Sequence, residues 1–581
     1  MRFGLFYEHQ LPRPWKEGAE GRLLSDALEQ VELADRLGFH AVWEVEHHFL
    51  EEYSHSSAPE VFLGAASQRT KNIRLGHGIV QIPPGYNHPV RVAERVATLD
   101  LVSGGRVELG TGESSSQMEL GGFGVKRELK HDQWTEALDA ICRMFVEEPF
   151  AGYDGRWVRM PPRNVIPKPF QKPHPPLWMA CTRRESILAA ARNGLGALSF
   201  AFVEPEDAKQ WVASYYEAIA SDECVPAGFA VNPNVAVVVP LMCHEDEETA
   251  IERGIDGAHF FGYSLAHYYV FGTHRPGSTN LWEEFQRNRR DVGFAREVVR
   301  PDQAPLGVSL LQEGLGSLRG AVGTPEQVAA LCERYEAAGV DQVIFVSQAG
   351  RNRHEDICES LELFGTKVLP RFEDGAERVE AQKSERLARA CEEALKRRSL
   401  PRRADPTYVV SPQDEPRPAP TVVTEDDESH PARPRLRDAL RRRGEDAAMA
   451  LLRRRTDDQL ERLVGSGPAL RAIFRGMERS YQPEAAQGFT GEIQYDLAGK
   501  DGSRRWNVRV EKDRAVAAPG RAATPAVTLR MSVPTFARIL TRELEAGRAF
   551  LDGKLEVEGD LHLASRLAQM FARPQGPETT G

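Results

Sequence analysis

Short apolar runs alternate with stretches of helical spacing over residues 1–375. The chain opens on a strand-like run, Arg2-Phe3-Gly4-Leu5-Phe6-Tyr7. Leu24, Ala27, Leu28, Val31 and Ala34 then recur near a 3.6-residue period and predict a helix over 23–37, which Gly38 stops. An apolar run over 39–45 reads as a buried strand. Further strands are predicted at 73–80, 106–110, 176–180 and 342–346, with a helix over 90–101. Strands separated by helices imply a parallel sheet. The length and spacing fit an α/β (β/α)8 TIM-type barrel better than an open sheet.

The pattern changes after residue 375. Residues 376–398 are charged and read as a solvated helix, and 400–435 are rich in proline, arginine and acids, as in a linker. Order returns over 436–575. A helix is predicted over 437–463. The runs 491–497, 506–510 and 527–531 alternate apolar and polar residues and predict half-buried antiparallel strands. Helices over 534–540 and 561–571 complete a small α+β domain. The expected division is therefore a barrel over 1–375, a charged helix and disordered linker over 376–435, and a second domain over 436–575.

Composition narrows the function classes. A chain of 581 residues needs more than one core. Its formal charge of −11 disfavours nucleic acid or an acidic membrane as a partner. No apolar run is long enough to span a bilayer, and the N-terminus reads as a strand rather than a signal peptide. Seven scattered cysteines without a C-x-x-C pair point to reduced thiols in a cytoplasmic protein, and none carries a metal-ligand motif.

The second strand ends in Glu46-His47-His48-Phe49. Barrel chemistry sits where strands end, and an imidazole there can act as a general base near neutral pH. Neighbouring strand residues point to opposite faces, so only one of the two histidines is expected to serve the chemistry. On these residues alone, two structural histidines are an equal reading. Ala180-Cys181-Thr182-Arg183-Arg184-Glu185-Ser186 lies between a strand and a helix and could offer amides, hydroxyls and arginines to a phosphate. It is also a plain N-cap, and the two readings are compatible. Residues 255–285 are rich in aromatics, either a substrate cover or a packing layer.

These pieces together resemble the bacterial luciferase-like flavin monooxygenases. The resemblance runs in family order through Arg2-Phe3-Gly4, Glu46-His47-His48-Phe49, 70–76, His88-Pro89-Val90-Arg91, 99–106, 167–176 and 323–328. It implies an enzyme that binds exchangeable reduced FMN, receives it from a separate flavin reductase and uses oxygen on an apolar organic substrate. It also implies a homodimer. By the resemblance His47 is catalytic, Glu46 orients it or raises its pKa, and Phe6, His48 and Phe49 line the substrate pocket. Thr182 corresponds to a phosphate contact, joined by Cys181, Arg183 and Ser186. The luciferases carry a cysteine and an arginine where this chain has Thr111 and Gly112, so these two positions line the cofactor site without supplying the phosphate grip. A non-proline cis peptide of the family maps to Gly78-Ile79, with Ile79 against the flavin ring. A deazaflavin used for hydride transfer is the alternative cofactor, and a non-enzymatic lipid carrier or scaffold the alternative role.

Residues 440–572 resemble the sterol-carrier-protein (SCP-type) fold, through Phe489-Thr490-Gly491, Leu529-Arg530-Met531-Ser532, 549–555 and Val557-Glu558-Gly559-Asp560. That implies either a lipid tunnel or a filled core used for docking.

Overall fold

The computed structural model describes residues 1–182, 184–199, 205–289, 320–410 and 455–571, apart from 487, 500–501, 542 and 545. Eight parallel strands close on themselves: β1 (Arg2–Tyr7), β2 (Ala41–Glu44), β3 (Arg74–Gln81), β4 (Val107–Gly112), β5 (Leu177–Cys181), β6 (Gly196–Ser199), β7 (Val235–Cys243) and β8 (Gln342–Val346). Closure is made by β8, which pairs with β7 through Gln342↔Ala236 and with β1 through Arg2↔Gln342. A short strand, Ala321–Gly323, adds to β7 outside the ring. Helices between the strands form the outer layer. The first, Ala19–Leu37, ends at Gly38 with φ 90°, a left-handed cap that glycine takes without a side-chain clash.

Strand alternation divides the side chains between two cores. Phe3, Leu5 and Tyr7 belong to the core beneath the helices, and Phe3 meets Phe364 and Phe372 there. Gly4 and Phe6 face the barrel interior, where a Cβ on Gly4 would meet Trp43 and one on Gly78 would meet Phe6. The barrel floor is filled by Trp43 and Trp178, packed edge to face with centroids 5.3 Å apart. Trp178 donates its indole N–H to Glu108 at 2.7 Å, and Arg74 pairs with the same carboxylate. Gly76 and Gly196 make room for the two indoles, since a Cβ on either would overlap a ring.

The charged stretch 376–398 is helical but is not solvated all round. It belongs to helix Pro370–Arg397, which packs against the N-terminal end of the barrel through Lys383. Lys383 is buried there, with its ammonium 2.8 Å from Asp341 and 2.6 Å from the Asn234 side-chain oxygen. A buried lysine needs this pairing, and its aliphatic stem covers apolar surface. Of the expected linker, 411–435 lies outside the described residues, and the part of the predicted 437–463 helix that is described forms Asp457–Val464.

Among the described residues the second domain has five strands: β9 (Gly491–Gly499), β10 (Gly502–Val510), β11 (Ala515–Pro519), β12 (Pro525–Ser532) and β13 (Leu555–Gly559), in the order β11-β10-β9-β12-β13. The sheet is not wholly antiparallel as expected, because β9 and β12 run parallel. After the β9–β10–β11 meander the chain crosses to the far edge of β9. A strand with one buried face alternates in the same way in either direction, so the pattern was silent on this point. Ile493, Tyr495, Leu497, Trp506, Val508 and Leu529 turn to the core, while the opposite face carries ion pairs such as Arg530–Asp496 and Arg509–Glu492. Helices Gly467–Arg479 and Ala546–Leu551 were not anticipated. Phe474 stacks on Trp506 with centroids 4.6 Å apart and also meets Tyr495 and Phe536. Aromatic rings thus fill the centre between sheet and helices.

Gly76→Ala is expected to destabilise the barrel by about 1–3 kcal/mol through overpacking against Trp43. Denaturant unfolding of the full chain checks this, with Gly21→Ala, in open space on the first helix and expected to hold or raise stability, as the control.

Candidate active site

The C-terminal ends of the strands form a mouth whose loops are unusual in backbone. Among the described residues four non-glycine positions have positive φ: His9, Phe49, Glu51 and Ser114. They follow β1, β2 and β4. Such conformations cost free energy and persist where surrounding contacts fix them.

His47 is the centre of these contacts. Its backbone N–H donates to the Ser56 carbonyl at 2.8 Å. Its ring Nδ1 lies 3.0 Å from Glu119 Oε1, and Nε2 lies 3.6 Å from Glu8 Oε2. Glu8 extends β1 and continues its inward positions, after Gly4 and Phe6. Glu119 sits on the short helix Gln117–Gly122, where its second oxygen accepts from Ser114 at 2.7 Å and its first also accepts the His48 N–H at 3.0 Å. Tyr53, in the turn Glu51–Tyr53, donates its hydroxyl to Glu8 at 2.9 Å. Tyr269 closes over the group, its ring 6.4 Å from that of His47. All the carboxylates here are buried.

Burial by itself would push His47 down, but Glu8 and then Glu119 hold it up to about 9. Burial pushes Glu8 up to about 7, with His47 and the Tyr53 hydroxyl opposing the rise. Glu119 goes the other way: burial would raise it, and the charge and hydrogen bond of His47 outweigh that and lower it. The site is therefore an imidazolium held between a carboxylate and a carboxyl that titrates near neutrality.

Several expected site residues lie elsewhere. Glu46 does not bond His47. It accepts from the Gln81 N–H at 2.8 Å and the Asn87 amide at 2.8 Å and lies 3.1 Å from His48 Nε2, so its field reaches His47 only as a minor contribution. His48 turns away from His47 toward Phe123 and Tyr86 on the rim. Thr111 faces the helix layer, fully buried, with its hydroxyl on the Trp178 carbonyl and the Trp134 indole N–H. Cys181 likewise turns outward into the core, where burial pushes its thiol up to about 12. Strand alternation decides both cases, since the inward positions of β4 and β5 are their neighbours.

Thr182 is exposed and its N–H donates to the Ser186 hydroxyl at 3.2 Å, at the start of helix Arg184–Arg192. Arg184 reaches Ser214, and Arg183 lies outside the described residues. Gly78–Ile79 is cis, as the resemblance implied. The Ile79 side chain lies across Gly110 and Gly112 on the inner wall, and its carbonyl accepts the Glu46 N–H at 3.0 Å. Phe6 is buried in the barrel interior, whereas Phe49 is half exposed and rests over Gly122 and Phe123. The 255–285 aromatics act mainly as packing: Phe260 meets Trp282 and Phe285, while Phe261 meets Tyr53.

The sequence reading missed Glu8, Tyr53, Ser114 and Glu119. Glu8 carried a signal, an acid two residues beyond an inward phenylalanine at a strand end. Glu119 carried none, because 72 residues separate it from His47.

Residues 1–342, more than half of the chain, match the luciferase-like monooxygenase family. The chain belongs to that family. Residues 470–572 match the SCP-2 sterol transfer family. The chain is 37% identical over 176 residues to the uncharacterized protein y4wF of Sinorhizobium fredii, covering 30% of this chain and 50% of that protein. It is 23% identical over 379 residues to the oxygenase component of the flavin-dependent trigonelline monooxygenase of Acinetobacter baylyi, covering 64% and 96%. The crystal structure of monooxygenase RslO1 from Streptomyces bottropensis superposes with a TM-score of 0.51 at 25% identity, covering 64% of this chain and all of that one. Among the described residues no helix is long and apolar enough to cross a membrane.

The titrations fix a sign for stability. His47 is raised from 6.5 to about 9, so its contribution is complete below pH 6.5 and lost as pH rises through 9. Glu8, raised from 4.5 to about 7, contributes in the same sense between those values. Unfolding midpoints are expected to fall from pH 6.5 to 9, and His47→Gln is expected to flatten that fall. Thermal unfolding across this range checks both.

Proposed function

We propose that this chain is the oxygenase component of a two-component flavin monooxygenase, which takes reduced FMN from a separate reductase and uses oxygen on an apolar organic substrate. The observation that carries the reading is His47, fixed between Glu8 and Glu119 at the barrel mouth of a chain whose first 342 residues match the luciferase-like monooxygenases.

The residues at the mouth fit a flavin. Gly110 and Gly112 keep the β4 wall bare, Ile79 lies across it, and Gln81 Oε1 beside Gly112 is buried with no hydrogen-bond partner among the described residues. A ring N–H would satisfy that acceptor. Thr182 and the start of helix Arg184–Arg192 are the candidate phosphate contacts. When bound, reduced flavin supplies the electrons that activate oxygen. The protein's own part is to seat the ring on the Ile79 wall, to hold the positive charge of His47 near developing negative charge, and to keep water out with Tyr53 and Tyr269. Phe49 and Phe123 give the rim of the mouth an apolar lining for the substrate.

Anaerobic loading of the full chain with reduced FMN, followed by mixing with oxygen, tests the reading. The expected result is reoxidation slower than that of free reduced FMN, and 18O incorporation into a product from a panel of apolar substrates. His47→Asn is expected to retain FMN binding and to lose about 10²–10³-fold in turnover, the scale of one lost electrostatic stabiliser. Failure to bind reduced FMN would instead favour a deazaflavin and hydride transfer.

For the second domain the family match supports binding of an apolar ligand, which would have to displace the rings around Phe474. Titration with a fluorescent fatty acid is expected to saturate at one site, and Phe474→Ala to change its affinity. No binding would leave a docking role.

A further inference from the structure

We propose that Glu8, not His47, is the proton-exchanging group of the barrel mouth, because His47 is locked through Nδ1 onto Glu119 and turns Nε2 toward a buried Glu8 oxygen that accepts no hydrogen bond from the described residues. The sequence alone suggests the opposite, a histidine acting as the base.

Three features of the geometry separate the two roles. The Nδ1 side of His47 is spent on Glu119, whose other oxygen and neighbouring amide contact are filled by Ser114 and the His48 N–H. Glu119 therefore cannot swing away, and an imidazole between two carboxylates keeps both ring protons. Glu8 is held at one oxygen only. Tyr53 fixes Oε1 at 2.9 Å, while Oε2 stands 3.6 Å from Nε2, beyond hydrogen-bond length. That oxygen is buried and under-satisfied, and a buried acceptor without a donor is costly. Protonation of Glu8, or a donor on a bound molecule, relieves the cost.

The charges that face Glu8 come from every neighbouring element. The segment after β2 brings His47, the Glu51–Tyr53 turn brings Tyr53, the short helix brings Glu119, and the segment after helix Glu247–Ala266 brings Tyr269. With His47 charged and Glu119 ionised the group is neutral when Glu8 is protonated, and carries one net negative charge when it is not. The titration of Glu8 near 7 agrees with this count. In the exchange, a bound O–H or N–H gives its proton to Glu8 Oε2, the electron pair of that bond stays on the bound molecule, and the carboxylate becomes a neutral acid. The reverse step returns the proton. His47 keeps its own protons throughout and offers a fixed positive charge to the anion left behind.

What the proton is used for rests on the oxygenase reading, but the assignment of the proton does not. The test therefore uses no flavin. Full-length protein carrying 13Cε1-labelled histidine is titrated by NMR, with His47→Gln identifying the resonance. The His47 signal is expected to titrate near 9, and Glu8→Gln to lower that midpoint by roughly one pH unit or more. In protein with 13C-labelled glutamate carboxyls, a neutral-carboxyl infrared band is expected to disappear as pH rises through about 7, and to be absent in Glu8→Gln. Tyr53→Phe, which leaves Glu8 in place but removes its donor, is expected to move that band's midpoint upward. A His47 midpoint near its ordinary 6.5, or a neutral-carboxyl band that survives Glu8→Gln, overturns the proposal. Failure of the full chain to bind reduced FMN would remove the oxygenase reading and leave these outcomes untouched.

Discussion

A charge buried where eight strands end has to be paired, and the candidate site is organised around that requirement. His47 is almost enclosed, so four separate segments meet around it. β1 delivers Glu8, the loop after β2 delivers His47 itself and Tyr53, the loop after β4 delivers Ser114 and Glu119, and the segment after helix Glu247–Ala266 delivers Tyr269. The left-handed residues Phe49, Glu51 and Ser114 lie in those same loops. Strain in the backbone and compensation of charge are thus met in one place. The two carboxylates are not equivalent, because Glu119 is fully satisfied and Glu8 is not.

The barrel beneath supplies rigidity. Every strand is buried on both sides, so each successive residue is committed to the helix layer or to the interior. Trp43 and Trp178 occupy the floor only because Gly76 and Gly196 oppose them. Helix Pro370–Arg397 then ties its buried Lys383 to Asp341 and Asn234 at the N-terminal end. The candidate site and the Lys383 contacts therefore lie at opposite ends of the barrel, and chemistry in barrels of this class sits at the C-terminal end.

The second domain is built on a different economy of burial. Its sheet has one dry face and one charged face, and its interior is centred on the Phe474–Trp506 stack. A match to the sterol transfer family and a ring-filled centre are compatible only if rings move when an apolar ligand enters.

Hydrophobic periodicity by itself determined the two folded regions and the parallel barrel. Periods of 3.6 and 2 follow from backbone geometry and do not need the fold to be known. The same local logic marked His47, because a strand end is visible in the chain. What only the tertiary structure decided was the company His47 keeps. Glu46 is its sequence neighbour yet serves His48 and Gln81, whereas Glu119 is distant in sequence and holds its ring. Thr111 and Cys181 sat at the right strand ends but on the outward parity, which depends on register and not on residue type. The direction of β12 was equally hidden, since alternation is blind to strand polarity. Pairing across 72 residues depends on loop paths and buried charge, and neither has a period that a sequence can display.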